Sequence, residues 1–301
     1  MPVSEIEPLI NPNRSLQSYY SSLESRIGYR LVLGGRRHFG YWEKDTLWPF
    51  PITKALCAME DHLFGNLNLQ KGALVLDAGC GVGLVAIHMA ELGLRVSCID
   101  VVDRHITRAK ANVHSSGFDG TVTVQKMDYH HLDGFADGTF DGAYTMETFV
   151  HATDPELALR EFFRVMKPGG SIAFYEYDHD NLSKAPRDIR DSIDEINKYA
   201  SMPSNARFKQ GVLQQMMKEV GFEEITVQDL SVNITPMLRL FFVLAYLPFL
   251  LVKFFGLQSH FINTVAAVKL YQSRDYCRYI AVSAKKPSSP ETMSGMRERK
   301  K

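Results

Sequence analysis

Short apolar runs alternate with amphipathic segments along the middle of the chain. The apolar runs predict five strands, placed at 73–78, 95–100, 121–127, 140–146 and 170–177. Segments with a 3.6-residue hydrophobic period lie between them and predict helices near 83–93, 103–116 and 154–166. Alternation of this kind is typical of a parallel sheet with helices on both faces. The pattern therefore predicts an α/β fold.

The pattern continues beyond the fifth strand. Polar segments near 186–201 and 208–220 predict helices, 224–232 predicts a sixth strand, and Tyr276–Ala284 predicts a seventh strand that closes a mostly parallel sheet. The predicted organisation is a helical cap over 16–72 and a main domain over 73–285, which carries helical insertions near 179–222 and 236–275. Residues 1–15 and 286–301 are rich in proline or in serine and basic residues, and are predicted to be disordered.

The segment 236–257 breaks this alternation, because every residue from Leu240 to Val252 is apolar. At ~1.5 Å per residue that run spans ~20 Å, less than a ~30 Å bilayer core, and Pro248 interrupts it. A core helix, a wall over an apolar substrate pocket, a peripheral contact with a membrane and a homodimer interface are all compatible with the run. We favour the pocket wall, because the segment lies outside the sheet.

Composition excludes several classes of function. The chain has 301 residues with 34 Lys+Arg and 34 Asp+Glu, so it has no basic excess for nucleic acid. The four cysteines lack the spacing of a metal or disulfide framework, and no metal site is predicted. The first 13 residues form no apolar leader. These features predict a cytoplasmic protein with reduced thiols. Any association with a membrane is expected to be peripheral.

A glycine-rich turn follows the first predicted strand, in Val75-Leu76-Asp77-Ala78-Gly79-Cys80-Gly81-Val82-Gly83. Asp100 ends the second strand. A strand, a glycine turn, a helix and a later acid form the general arrangement of a nucleotide-cofactor site. A dinucleotide fingerprint would need a small residue where Leu84 stands.

The D-x-G-x-G-x-G spacing resembles motif I of class I S-adenosylmethionine-dependent methyltransferases. The resemblance implies that the cofactor's amino-acid end lies on Asp77, Gly79, Cys80, Gly81 and Gly83. A carboxylate at Asp100 suits two ribose hydroxyls. Val101 is expected to cover the adenine, and Asp128, next to Tyr129, to accept from the adenine amino group. A helix cap at Asp77 and a turn residue at Asp128 are the alternatives.

The fourth strand ends near Glu147 and His151, which are four residues apart, so a helical turn would bring them to one side. Methyl transfer to a hydroxyl, amine or carbon acid needs a proton acceptor, so we predict that this pair is catalytic. In the alternatives, His151 only holds the loop and Glu147 only orders the cofactor. Tyr19, Tyr20 and His38 precede the sheet; we expect the tyrosines to cap the cationic cofactor and His38 to join the catalytic group.

Residues 19–178 also resemble the sterol C-methyltransferase and tocopherol methyltransferase group. The motifs are Tyr19-Tyr20, the block from His38 to Trp42, the glycine loop, the stretch from Met146 to Ala152, and Arg164-Val165-Met166-Lys167-Pro168-Gly169-Gly170. The resemblance implies a Rossmann-like methyltransferase fold and methyl transfer from S-adenosyl-L-methionine to a small lipophilic acceptor such as a sterol, terpenoid, prenylated or polyketide metabolite. Two alternatives remain open: a non-methylating cyclisation or rearrangement, and a non-catalytic regulatory partner that binds the cofactor.

Overall fold

A computed structural model describes residues 10, 13–180 and 182–288. Its seven strands form one sheet in the order β3-β2-β1-β4-β5-β7-β6, with β7 antiparallel to β5 and β6 and the remaining pairs parallel. This confirms the predicted mostly parallel sheet. The strands are β1 (Leu74–Ala78), β2 (Arg95–Asp100), β3 (Val122–Lys126), β4 (Phe140–Met146), β5 (Met166–His179), β6 (Glu223–Asp229) and β7 (Cys277–Lys285).

Ten α-helices cover the sheet within these described ranges. They are α1 (Arg14–Ser21), α2 (Leu23–Leu33), α3 (Ile52–Leu67), α4 (Leu84–Glu91), α5 (Asp103–Ser115), α6 (Pro155–Val165), α7 (Arg187–Tyr199), α8 (Val212–Val220), α9 (Ser231–Phe254) and α10 (Ile262–Gln272). Two large hydrophobic clusters lie on the two faces of the sheet, and a smaller one joins α7, α9 and α10. The strand order reverses between β1 and β4, so a crevice opens at their carboxyl ends, where ligands bind in such sheets.

Two strand boundaries differ from the prediction by more than two residues. β5 begins at Met166 rather than 170, because Met166 pairs with Phe140 before the register shifts near Gly142. β6 ends at Asp229 rather than 232, since the Asp229 carboxylate accepts a hydrogen bond from the Ser231 amide at 2.9 Å and α9 begins there.

The predicted disordered ends are described only in part. Arg14 begins α1, where the Asn13 side chain accepts from the Leu16 amide at 3.1 Å. Lys286 donates to the carbonyls of Phe163 and Met166. These contacts contradict disorder at the inner edge of each segment. The rest of the prediction, for 1–9, 11–12 and 289–301, lies outside the described residues.

Helix α9 runs for 24 residues and contains both Pro236 and Pro248. The predicted interruption at Pro248 is therefore wrong. Phe249 and Val252 pack in the cluster with α10 on the far side of the proline, which holds the helix in register. By length and composition alone, α9 is the one helix in the described chain that is able to cross a membrane.

Candidate active site

Two cavities meet above the carboxyl ends of β1 and β4. The first lies over the glycine loop and reaches Asp100 and Asp128. The second has a volume of about 400 Å³ and lies among α2, α7, α9 and α10. Five residues line both cavities, and we call this set the junction: Tyr20, Arg37, His38, Glu147 and His151.

The glycine loop has backbone conformations that only glycine adopts without strain. Gly79 has a φ of 98°, and a Cβ there would lie 2.2 Å from the Thr148 hydroxyl. Asp77, Gly79, Cys80 and Gly81 line the first cavity, as predicted for the cofactor loop. Gly83 is not among the lining residues.

Gly83 serves the packing of two helices instead. A Cβ at Gly83 would lie 3.1 Å from Ala109 on α5, so the absence of a side chain lets α4 and α5 approach closely. Its predicted contact with the cofactor therefore has no support in the geometry.

Asp100 is buried and holds the loop together. Its carboxylate accepts from the amides of Gly81 at 2.9 Å and Val102 at 2.8 Å and from His105 Nδ1 at 3.1 Å. Burial raises the pKa of this carboxyl, but His105 and the two amides outweigh burial and hold the pKa below its ordinary value. Three of roughly four acceptor positions are filled. One position on Oδ1 remains for a hydroxyl.

His105 supplies a further acceptor that sequence reasoning missed. Its Nδ1 donates to Asp100, and its Nε2 is buried without a protein partner. His105 also lines the first cavity. The available signal was its place in the first turn of the helix that follows Asp100.

An acidic and a basic side chain beside the glycine loop also have buried atoms without partners. Asp77 Oδ2 makes no hydrogen bond, and burial raises the pKa of its carboxyl to about 8. Nε and Nη1 of Arg37 are likewise buried and unpaired. The Arg37 guanidinium lies 4.8 Å and 5.1 Å from the ring centroids of Tyr20 and Tyr29. A zwitterionic ligand would satisfy both groups, because burying unpaired charge is costly.

The predicted adenine end also lines the first cavity, through Val101, Asp128 and Tyr129. Asp128 Oδ1 accepts from the amide and Nδ1 of His130, at 3.0 and 2.5 Å. The Tyr129 hydroxyl donates to the Thr148 carbonyl at 3.2 Å. These contacts orient the side chains at the ends of β3 and β4. The adenine roles of these residues remain predictions.

Glu147 connects the N-terminal segment to the sheet. It has a φ of 54°, which turns the chain sharply after β4. Its carboxylate accepts from the Phe39 amide at 2.6 Å, from the Tyr279 hydroxyl at 3.0 Å and from the Tyr177 hydroxyl. Burial raises the pKa of Glu147, and these donors offset the effect only in part. The carboxylate is thus held by its own chain.

His151 is also held on both sides. Nδ1 lies 2.8 Å from the Ser201 carbonyl, and Nε2 lies 3.0 Å from the Tyr20 hydroxyl. Burial lowers the pKa of His151 to about 4, so the ring is neutral at pH 7. Nδ1 therefore donates to Ser201, and Nε2 accepts from Tyr20. Glu147 and His151 share the junction, but each bonds to other partners, and their predicted catalytic roles remain predictions.

The remaining N-terminal candidates divide between the cavities. His38 lines both, with Nδ1 2.9 Å from the Phe39 carbonyl and Nε2 3.1 Å from Glu60. Tyr20 also lines both. Tyr19 lines only the second cavity, where its hydroxyl donates to Asn263 at 2.7 Å. The predicted contact of Tyr19 with the cofactor therefore has no support in the geometry.

One cluster outside the junction has the composition of a metal site. The ligand atoms of Cys57, Glu60 and His88 lie within 4.8 Å of one another. However, the Glu60 carboxylate already binds Arg36 at 2.6 Å and His38 at 3.1 Å. The Arg36 guanidinium repels a metal ion, so this geometry does not favour one.

Comparisons with known proteins place this geometry in a family. A model described as "Methyltransferase domain" matches residues 76–174. The S-adenosyl-L-methionine-dependent Diels-Alderase iccD of Talaromyces variabilis is 38% identical over 91% of this chain and 95% of its own length. The chain belongs to the class I S-adenosylmethionine-dependent methyltransferase family. Sterol 24-C-methyltransferases are also relatives, which confirms the predicted resemblance.

Two further relatives of this methyltransferase-family protein are informative. The S-adenosyl-L-methionine-dependent Diels-Alderase iliD of Neonectria sp. (strain DH2) is 40% identical over 72% of this chain and 86% of its own length. The crystal structure of the [4+2]-cyclase SpnF has a TM-score of 0.67 and covers 86% of this chain and 90% of its own, at 24% identity. The latter likeness shows the fold. The protein is therefore an enzyme with an S-adenosylmethionine-binding methyltransferase fold.

The unpaired groups of the first cavity fit S-adenosylmethionine. Asp77 offers a carboxylate to the cofactor's ammonium, and Arg37 offers unpaired donors to its carboxylate. Asp100 and the free Nε2 of His105 offer acceptors to the ribose hydroxyls. The closeness of Gly79 to Thr148 leaves no room for a side chain under the ligand. The family's cofactor thus has a matching protein group for each polar part of its amino-acid and ribose moieties.

Proposed function

We propose that the protein is a cofactor-dependent cyclase that folds a linear, lipophilic polyene and promotes an intramolecular [4+2] cycloaddition without transferring a methyl group. The relatives iccD and iliD support this activity, because both are named Diels-Alderases and iccD matches over nearly its whole length. The sequence alone left a non-methylating cyclisation open as an alternative to methyl transfer.

The observation that carries the proposal is the bonding of the junction. Glu147 accepts three hydrogen bonds, His151 uses both ring nitrogens, and both nitrogens of His38 face oxygen acceptors. Methyl transfer to a hydroxyl, amine or carbon acid releases a proton that a base must take. Among the described side chains of the junction, each titratable group that would serve as a base is already engaged. A cycloaddition releases no proton.

The second cavity suits the demands of such a reaction. A [4+2] cycloaddition converts three π bonds into two carbon–carbon σ bonds and one new π bond, with no leaving group and no oxidant. The flexible chain must be ordered before it reacts, so a wall that holds the reacting carbons together lowers the entropic part of the barrier. Leu238, Phe241 and Pro248 of α9, with Ile193 and Ile196 of α7, form such an apolar wall.

The junction positions charge beside that wall. When bound, the cofactor supplies a positive sulfonium that stabilises negative charge developing on an electron-withdrawing group of the polyene. Tyr20, held by His151 at 3.0 Å, forms part of the boundary between the two cavities. The mostly apolar lining of the second cavity lowers the local dielectric around the reacting chain, which strengthens this attraction. In this scheme Glu147 and His151 are positioning residues.

The test uses the metabolite that accumulates when the gene is deleted from the producing organism. This metabolite is incubated with purified enzyme and S-adenosylmethionine that carries a deuterated methyl group. We expect an isomeric product of unchanged mass, no label in the product and no S-adenosylhomocysteine. Enzyme stripped of cofactor should lose activity and regain it when cofactor is added.

Methyl transfer is the second candidate, because sterol methyltransferases are relatives and the cofactor loop is complete. A product heavier by one labelled methyl group, with an equal amount of S-adenosylhomocysteine, would establish transfer and overturn the cyclase proposal. Cofactor binding with no conversion of any accumulated metabolite would favour the regulatory alternative.

A further inference from the structure

The outer face of α9 is the largest apolar anomaly of the described surface. Leu247, Leu251 and Phe254 are 72%, 62% and 82% exposed. At about 100° per residue they fall on one side of the helix, opposite Phe249 and Val252, which are buried. Soluble monomers rarely leave so continuous an apolar stripe in water. The other exposed members are Val243, Leu244, Tyr246 and Leu250.

The charged residues of the segment that carries this stripe are all basic. The stretch from Leu230 to Arg274 contains no aspartate or glutamate but four basic residues. Arg239 lies on the exposed side of the helix by its register, and Lys253 is exposed at its edge. Lys269 is already paired with Asp188 at 3.4 Å. The stripe is therefore flanked by cations, and the segment that carries them contains no acidic residue with which they could pair.

A neighbouring loop extends the stripe with an aromatic side chain. Arg239 Nη1 donates to the Leu47 carbonyl at 3.3 Å, which places Trp48, 71% exposed, beside the start of the stripe. Aromatic and basic side chains at the borders of an apolar helix are typical of surfaces that lie in a membrane interface. The loop also carries Glu43 and Asp45, so we assign the attraction for anions to α9 itself.

We propose that the outer face of α9, together with Trp48, docks on an anionic lipid bilayer and makes this a peripheral membrane enzyme. The helix lies along the surface rather than across it, because Met237 and Leu238 near one end and Phe249 and Val252 near the other are packed in the protein. A second copy is a poorer partner, since a twofold contact would bring the unpaired cations of both helices together.

Docking on a bilayer would bring a lipid-dissolved substrate to the second cavity, an argument that rests on the proposed function. Leu244 and Pro248 line the cavity and are also exposed on α9. The cavity therefore opens at the face that would meet the lipid. A polyene dissolved in the bilayer would enter without crossing water.

The experiment is flotation of the full-length protein with vesicles of phosphatidylcholine, with and without about one third phosphatidylserine. We expect binding that phosphatidylserine strengthens and salt weakens. Leu247→Glu with Leu251→Glu should lower the partition coefficient by at least about tenfold. The matched control is Val227→Glu, an exposed apolar position on β6, which should bind as the unmodified protein does.

Tryptophan emission is an independent readout. The chain has two tryptophans, and Trp42 is buried, so a blue shift on adding vesicles reports Trp48. Unchanged unfolding temperature and S-adenosylhomocysteine affinity would show that the double variant is folded. Failure of the unmodified protein to float, or equal flotation of the double variant, would overturn the proposal. The proposal would also be overturned if the unmodified protein forms a dimer without vesicles, the double variant is a monomer, and neither protein floats. Turnover is not needed, so these outcomes are separate from the fate of the cyclase proposal.

Discussion

Arg37→Gln offers the sharpest test of how the cofactor is held. In the free protein the Arg37 guanidinium has two buried nitrogens without partners and lies between two tyrosine rings. Its side chain also passes over the loop, 3.6 Å from where a Cβ on Gly81 would be. We expect it to bind the carboxylate at the amino-acid end of the cofactor. Glutamine removes the charge and keeps a donor.

The expected magnitude follows from the bond type. A hydrogen bond to a charged group contributes about 1.5–3 kcal/mol, which corresponds to roughly a 10- to 150-fold change in affinity. Calorimetry should therefore show that Arg37→Gln weakens S-adenosylhomocysteine by at least about tenfold. Methylthioadenosine has the same adenosine but no amino-acid end, so its affinity should change by less than about twofold. Arg37→Lys should give an intermediate loss, since it keeps the charge without the planar fork.

The stability of the free variant separates this role from a structural one. Two guanidinium nitrogens of Arg37 are buried without partners, which costs free energy, so Arg37→Gln should not lower the unfolding temperature without ligand. Equal weakening of both ligands would show a general distortion of the cleft. Unchanged affinity for S-adenosylhomocysteine would refute the assignment of Arg37 to the carboxylate.

Three other predictions concern the same region. Burial raises the pKa of Asp77 to about 8, and pairing with an ammonium requires the ionised carboxylate. The affinity for S-adenosylhomocysteine should therefore rise between about pH 6 and pH 8, and binding should release a proton. If Asp77 stays protonated, calorimetry in two buffers would show no rise in affinity and no proton release. Glu147→Gln should lower the free energy of unfolding by about 1–3 kcal/mol in urea, since it disturbs the bond from Tyr177, and an unchanged midpoint would contradict that role. Gly79→Ala should abolish cofactor binding, because its Cβ would meet Thr148; calorimetry that shows normal affinity would mean the loop shifts freely.

Local patterns predicted the centre of the fold well. β1, β2 and β4 agree with their predicted ranges within a residue, because each is a short buried run between turn residues. The glycine loop was also predictable, since its conformations demand glycine at Gly79 and Gly81. Both signals lie within a few neighbouring residues.

Features that depend on distant contacts were not predictable. Arg37 follows α2 in an irregular segment, and only the fold brings it over Gly81. His105 became a candidate only when its Nε2 proved unpaired. Likewise, α9 continues through Pro248 because of packing against α10, which no pattern within α9 reveals.

Glu147 and His151 show what the local sequence predicts and what only the folded structure reveals. Their place after β4 predicted that they would face the reaction centre, and both line the junction. Their partners come from elsewhere in the chain: Tyr177 from β5, Tyr279 from β7 and Tyr20 from α1. Each of these hydroxyls donates to the acceptor that a proton-transfer role would need. Under the proposed function, the methyltransferase scaffold retains its acid and histidine, and the cofactor site beside them, while the pair no longer acts as a base. Under that arrangement the bound sulfonium is useful as a fixed charge, and the chemistry left to the protein is the folding of the substrate.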